Sequence, residues 1–299
     1  MTTETIDVAP EATEAAAPPA VAYEGIIHDL PEELYHAHSA LSSTQVKWLL
    51  ESPARYRYNL DHQQPHKKAF DEGSAVHAKV LGTGWGVVEI PESKLSKSGT
   101  IGTDAARAFI AEARANNEIP LKAAEIAKVN AIAESVLRDP DARRALEETL
   151  PEVSVFATDP ETGVDLRCRF DALREDLGLA VDLKTMAGRS TRAGFSKQVA
   201  DMHYDVSHEH YLDTLELATG ERPPKLYIVV EKDPPYFTAV FRLSADEIEM
   251  GRKDARTARA TLAACRIANW WPHRPYGIQT TEAPMYRIYD HIDRHKETA

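Results

Sequence analysis

Asp171 and Asp182 each stand inside an apolar, strand-like run of the segment RCRFDALREDLGLAVDLKT (residues 167–185), and Lys184 follows the second aspartate by two. An ionised carboxylate among Phe, Leu, Ala and Val is costly unless its charge is compensated. Glu175-Asp176-Leu177-Gly178 reads as a turn. Closed symmetrically, it pairs residues whose numbers sum to 353 and sets Asp171 directly opposite Asp182. Facing residues of an antiparallel pair have Cβ atoms roughly 4.5–5.5 Å apart, and Lys184 shares a face with Asp182 by the two-residue period of a strand. Facing carboxylates repel unless a cation sits between them. Oxygen ligands of this kind suit Mg²⁺ or Mn²⁺, ions that stabilise charge on a phosphoryl oxygen and lower the pKa of an attacking water. Lys184 would hold that water or the developing charge. Asp-x-Lys alone is a weak pattern, and acids in solvent-facing salt bridges fit the same residues.

The elements that must position this trio are legible in outline. EVSVFATD, the turn Pro160-Glu161-Thr162-Gly163 and VDLRCRFDAL form a hairpin, and LAVDLKT is a further strand. A helical region spans about 192–218. KLYIVVEK is strongly β, broken by Asp233-Pro234-Pro235 before YFTAVFRL. Ser244 with Glu247 three residues on opens a helix over 244–268 as a capping box. Upstream, Ser42 or Ser43 caps a helix with Val46, Leu49 and Leu50 on its apolar face, and further helices are expected at 71–81, 103–117 and 121–138. The tail from Asn269 reads as aromatic and irregular. The expected fold class is α/β: a central mixed or mostly antiparallel sheet flanked by helices, with a helical N-terminal part over 23–150 and a sheet-containing core over 151–299.

Composition narrows the field. The chain has 299 residues, 43% hydrophobic and 27% charged, with net charge −12, which argues against general affinity for nucleic-acid phosphates. The charge is uneven, however. Residues 1–24 hold five acids and no base, whereas 185–200 hold Arg189, Arg192 and Lys197 and no acid. Residues 1–22 are low in complexity and read as a disordered leader. Cys168 and Cys265 are the only cysteines. They are too few for a four-thiolate or iron–sulfur site and are expected as reduced thiols. No apolar run approaches a membrane span and no signal peptide is evident, so a cytoplasmic protein is expected, with no membrane partner.

With these residues in place, RFDAL followed by LAVDLKT resembles the core of the PD-(D/E)xK nuclease superfamily. Three stretches narrow the likeness to exonucleases of the exodeoxyribonuclease VIII (RecE) type from phages and prophages. LSSTQVKWLLESPARYRY resembles their opening helix, and EGSAVHAKVL their Gly-x-x-x-His helix, with Gly73 and His77 in place. YDVSHEHYLDTL resembles their Tyr-x-x-Gln-x-x-x-Tyr helix. The resemblance spans about 35–220. It implies one or two Mg²⁺ or Mn²⁺ ions held by His77, Asp171, Asp182 and the Leu183 carbonyl, with Lys184 catalytic. It also implies a third acid at Glu152, for which Asp159 or Asp165 can be mistaken. Tyr211 matches the motif tyrosine, whereas Ser207 stands where the family has glutamine. Gln198 substitutes only in another helix register.

By resemblance, the activity is degradation of one strand of a linear DNA duplex, 5′ to 3′, in a bacterial host. A ring-shaped homo-oligomer and a single-strand annealing protein are implied as assembly and partner. A single-strand or structure-specific nuclease, and a non-catalytic DNA-binding or assembly module, are the alternatives.

Other residues have plainer readings. Arg189, Arg192 and Lys197 suit phosphate contacts, as do Ser207 and Tyr211 by resemblance, but a solvated basic loop fits the first three equally. His203, His208 and His210 crowd one segment, and a solvated helix flank is favoured there over a zinc site. Trp270 and Trp271 are expected to pack rather than stack on bases.

Overall fold

The computed structural model describes residues 22–62, 68–273, 278 and 280–296. The expected leader, apart from Ala22, lies outside them. In chain order the N-terminal part comprises β1 (Gly25–Ile27), α1 (Glu32–Ala37), α2 (Ser43–Glu51), α3 (Pro53–Asp61), α4 (Lys68–Leu81) and β2 (Gly86–Glu89). After a 3-10 turn at Glu92–Lys94 come α5 (Asp104–Ala115), β3 (Glu118–Leu121), α6 (Ala123–Arg138) and α7 (Pro140–Leu146). The core continues with β4 (Thr149–Thr158), β5 (Asp165–Arg174), β6 (Ala180–Met186), α8 (Arg192–Met202), α9 (Tyr204–Thr219), β7 (Lys225–Glu231), β8 (Thr238–Phe241), α10 (Ala245–Ala268) and α11 (Met285–Lys296).

Six strands form one mixed sheet in the order β1-β4-β5-β6-β7-β8. Only the β6–β7 pair in it is parallel. The α8–α9 crossover supplies the long connection a parallel pair demands. Val181, Leu183, Ile228 and Val230 pack on one face beneath α4 and α6. On the other face, α9 lies over Val153, Cys168 and Phe170 through Leu212 and Leu215, and α8 covers Tyr227 and Val229 through Phe195 and Val199. A separate parallel pair, β2–β3, carries no part of the acidic site.

Several elements depart from the sequence expectation. The helical region near 192–218 is two helices, because His203 adopts a left-handed conformation (φ 50°) and ends α8 before α9 begins. The tail is not wholly irregular. Met285, Ile288, Tyr289 and Ile292 recur at helical spacing and lie in α11, which is exposed throughout. Trp271 packs on Tyr56 (centroids 5.7 Å apart) as expected, while Trp270 is exposed. The expected capping box at Ser244–Glu247 forms, and of the two caps considered for α2 it is Ser42 that serves, in a capping box with Gln45.

Two devices fix α9 against α10. Arg259, buried, pairs with Asp159 (2.9 Å) and Asp213 (2.8 Å). Glu209 receives Arg222 (2.5 Å) and Arg252 (2.9 Å). Gly251 then lets α10 meet the start of α9: a Cβ there would lie 2.3 Å from the backbone oxygen of Asp205. Such a contact cannot be relieved by a rotamer change. Gly251→Ala is therefore expected to lower unfolding stability by about 1–3 kcal/mol, the usual cost of overpacking, as read by urea denaturation. An unchanged midpoint would mean the helices separate freely.

Candidate active site

The β5–β6 ladder runs Leu173–Ala180 and Ala172–Val181, which is the register predicted from the turn. Counting on, Asp171 and Asp182 are the next facing pair, but the ladder stops one step short of them. Asp171 Oδ2 accepts a hydrogen bond from the Leu183 amide (2.7 Å). The carboxylate thus takes the place of a strand carbonyl, and β6 parts from β5 while staying paired with β7 along its whole length. The neighbouring hairpin is irregular at the same level. Glu152 has φ 52° in the middle of β4, opposite Asp171 by the register of the flanking pairs Pro151–Ala172 and Val153–Phe170. Phe170 and Leu173, three residues apart, both face α9, so the two-residue alternation slips between them. Sheets place such breaks beside active sites, where they re-aim side chains. Here the re-aimed side chains are the acids.

Within the opening, Lys184 Nζ lies against Asp182 Oδ1 and 4.0 Å from Asp171 Oδ2. Lys184 also reaches the Leu183 carbonyl (3.4 Å), so that oxygen faces the same space. His77 Nδ1, from α4, stands 3.7 Å from Asp171 Oδ2. Burial would raise the Asp182 carboxyl, but Lys184 and Lys225 outweigh it and hold the group well below the usual carboxylate range. Lys184 itself is pushed up, because Asp182 and Asp171 more than offset its burial. Glu152 moves the other way. Burial, then Asp171, push it to about 7, although Arg169 at 4.0 Å opposes them. Asp159 and Asp165 stand at the far end of the hairpin, committed to Arg259 and to the Thr158 hydroxyl (2.7 Å). Of the three acids considered on this hairpin, Glu152 is the one that lies opposite Asp171.

The donor types fit a hard divalent cation: two carboxylates, a backbone carbonyl and an imidazole around one opening. Asp182 Oδ1 is buried, and the ammonium of Lys184 sits on it. Among the described residues, however, no three His, Cys, Asp or Glu side chains converge closely enough to form a ready-made metal cluster.

The sequence assigned no role to three residues here, although Tyr204 opens the Tyr-x-x-Gln-x-x-x-Tyr match. Lys225 at the start of β7 binds Asp182 Oδ2 at 2.8 Å. Lys47 on α2 donates to the Met202 carbonyl (2.8 Å); burial, then Lys184, pull it down to about 8. Tyr204 presents its ring to both Lys47 (5.5 Å) and Lys184 (5.6 Å), and its hydroxyl accepts from Gln198 (3.2 Å). Gln198 thus reaches the site from α8 by way of Tyr204, whereas Ser207 turns back to the carbonyl of His203. Tyr211 lies 4.2 Å from Lys225 Nζ and edge-on to Phe170, a packing role rather than a surface one. Arg189 and Arg192 are exposed, and Lys197 pairs with Asp201 (2.5 Å).

The histidines correct an expectation. His203 is exposed, but His208 and His210 are buried. His210 Nε2 donates to the Arg167 carbonyl (3.0 Å), and burial holds its pKa near 4. The unfolded chain would take up a proton near 6.5 that the folded chain refuses. The stability due to neutral His210 is thus complete above pH 6.5 and is lost as pH falls from there to about 4. The loss is about 3 kcal/mol at most, and less if the denatured state is structured. His210→Gln should flatten the stability profile across that interval in pH-resolved denaturation. An equally steep profile in the variant would place the titration elsewhere.

A profile of a PDDEXK-like domain of unknown function, DUF3799, matches residues 42–283. A solved structure named "Putative exonuclease", from Eubacterium rectale, is 14% identical, with coverage of 87% of this chain and 98% of that one and a TM-score of 0.58; at that identity it supports the fold alone. The structure of SSO0001 is 9% identical over 65% of this chain and 86% of that one, with a TM-score of 0.26, too low to carry an argument. No curated protein matches. With the mixed sheet, the split acidic strands and the lysine two residues beyond the second aspartate in place, the chain belongs to the DUF3799 family of PDDEXK-like domains.

Proposed function

We propose that the protein is a metal-dependent deoxyribonuclease that degrades linear duplex DNA from its ends, 5′ to 3′, leaving 3′ single-stranded overhangs. One observation carries the reading: Asp171, Asp182 and Lys184 meet where β5 and β6 separate, with His77 entering from α4. A half-buried carboxylate–lysine cluster is costly for a protein that only binds. The polarity, the end preference and the recombination role come from the motif resemblance to the exodeoxyribonuclease VIII type. So do the ring assembly and the annealing partner.

Asp171, Asp182 and the Leu183 carbonyl would hold Mg²⁺ or Mn²⁺ with His77 beside them, and the ion supplies charge neutralisation at the scissile phosphate and a more acidic attacking water. The chain's own residues do the rest. Asp171 takes the Leu183 amide in place of a strand carbonyl, which ends the β5–β6 ladder beside the acids. Lys184 brings positive charge to the oxygens that become more negative as the phosphodiester breaks. Lys47 and the exposed Arg189 and Arg192 would meet flanking phosphates, contacts that position a backbone without reading sequence.

The test is digestion of linear duplex DNA labelled separately at its 5′ and 3′ ends, with Mg²⁺ or EDTA, by the wild type and Lys184→Met. Metal-dependent release of 5′-labelled mononucleotides by the wild type alone supports the proposal in full. Release from the 3′ end would reverse the polarity, and cutting of closed circles would make the enzyme an endonuclease. DNA bound but uncut under every metal condition would leave a binding module.

A further inference from the structure

Lys225 is a buried ammonium. Its side chain is 1% exposed, enclosed by the rings of Tyr211 (4.2 Å) and Tyr227 (5.2 Å). Among the ion pairs of the described residues its partner is Asp182, through Oδ2 at 2.8 Å. Lys184 takes the other oxygen. The two lysines differ in freedom. Lys184 is 24% exposed and can swing off Asp182 along its own stem. Lys225, sealed between aromatic rings at the base of β7, cannot leave without an ammonium losing its counter-charge in an apolar surround.

We infer that Lys225 is a positioning residue that permanently occupies one oxygen of Asp182 and thereby makes uptake of the catalytic cation depend on DNA. The inference rests on the nuclease reading of the same site. With Oδ2 committed, Asp182 offers a cation a single oxygen. The formal charge of Asp171, Asp182, Lys184 and Lys225 together is zero, and affinity for hard divalent cations follows the charge of the ligands. Free protein should therefore bind Mg²⁺ or Mn²⁺ weakly. A phosphodiester at the cluster adds the missing negative oxygen and draws Lys184 toward itself, so cation and DNA strengthen one another's binding by the same factor.

The measurement is Mn²⁺ binding by electron paramagnetic resonance on the full chain. It is made with and without a linear duplex carrying uncleavable phosphorothioate ends, for the wild type, Lys225→Met and Lys225→Arg. Wild type should bind Mn²⁺ about tenfold more tightly with the duplex than without it, a coupling of ordinary size. Lys225→Met should bind Mn²⁺ about tenfold more tightly than wild type without DNA and show little further gain with it, whereas Lys225→Arg should behave as wild type. A merely structural lysine would give weaker binding on removal, not tighter. The inference is overturned if Lys225→Met, folded by circular dichroism, binds Mn²⁺ no better than wild type. If that variant does not fold, equal wild-type affinity with and without DNA overturns it. Absence of Mn²⁺ binding by wild type even with DNA would sink the nuclease reading itself, and this inference with it.

Discussion

Asp182→Asn is expected to unfold at markedly lower denaturant than the wild type, with a loss of about 3–5 kcal/mol. The substitution is nearly isosteric, so the loss does not come from packing. It comes from Lys225, whose ammonium keeps its burial while its 2.8 Å partner loses its charge. Lys184 contributes less, because it is partly exposed and retains Asp171 at 4.0 Å. The cost should therefore vanish when the stranded charge is also removed. Asp182→Asn combined with Lys225→Met replaces a buried ion pair by groups of similar size, a change that is often neutral or stabilising. The double variant should recover most of the stability in a double-mutant cycle by urea denaturation. A single Asp182→Asn variant within about 1 kcal/mol of wild type would mean that Lys225 is not held as an ion, since small losses belong to exposed pairs. One practical consequence follows. Loss of activity in an Asp182 variant mixes chemistry with unfolding, so that residue is a poor sole test of catalysis.

Much of the fold could be read from the chain because local chemistry and tertiary demand agree there. The turn after Arg174 pairs β5 and β6 as symmetry dictates, and both capping boxes form where Ser and a residue three further on allow them. The place of Lys184 beside Asp182 follows from the two-residue period, whereas the slip that turns Asp171 onto the Leu183 amide does not. What could not be read depends on contacts remote in sequence. Lys225 looks like the polar start of an apolar strand until the parallel register sets it opposite Ala180, beside Asp182. Lys47 sits on an ordinary amphipathic helix, and only the fold brings Tyr204 and Met202 to it. The burial of His208 and His210 was hidden for the same reason: three histidines among Asp and Glu look solvated, yet α9 is covered by the sheet on one side and by α10 on another. The split at His203 had no Gly or Pro to announce it, and Pro151, which precedes Glu152, does not by itself foretell the positive φ of that residue.

Lys184→Met should cut the rate of phosphodiester cleavage by about 10²–10³-fold while leaving the protein folded, the size of effect seen when one preorganised electrostatic donor is removed. The argument for a kinetic and not a structural loss is the asymmetry between the two lysines on Asp182. With Lys184 gone, Asp182 still has Lys225, so no buried carboxylate is stranded. The methionine fills the stem's volume. Binding of duplex DNA should change little, because Arg189, Arg192 and Lys47 remain to meet phosphates, so the loss belongs in kcat and not in KM. Raising the pH should not restore the rate, since no group in the variant can replace the missing ammonium. Single-turnover cleavage of end-labelled duplex, with the melting temperature measured on the same samples, decides the matter. Should Lys184→Met cleave at the wild-type rate, the essential ammonium would have to be Lys47, the other lysine against the ring of Tyr204. Burial brings Lys47 down to about 8, and its loss would then show as a rate that falls through that range as Lys47 is deprotonated in the wild type.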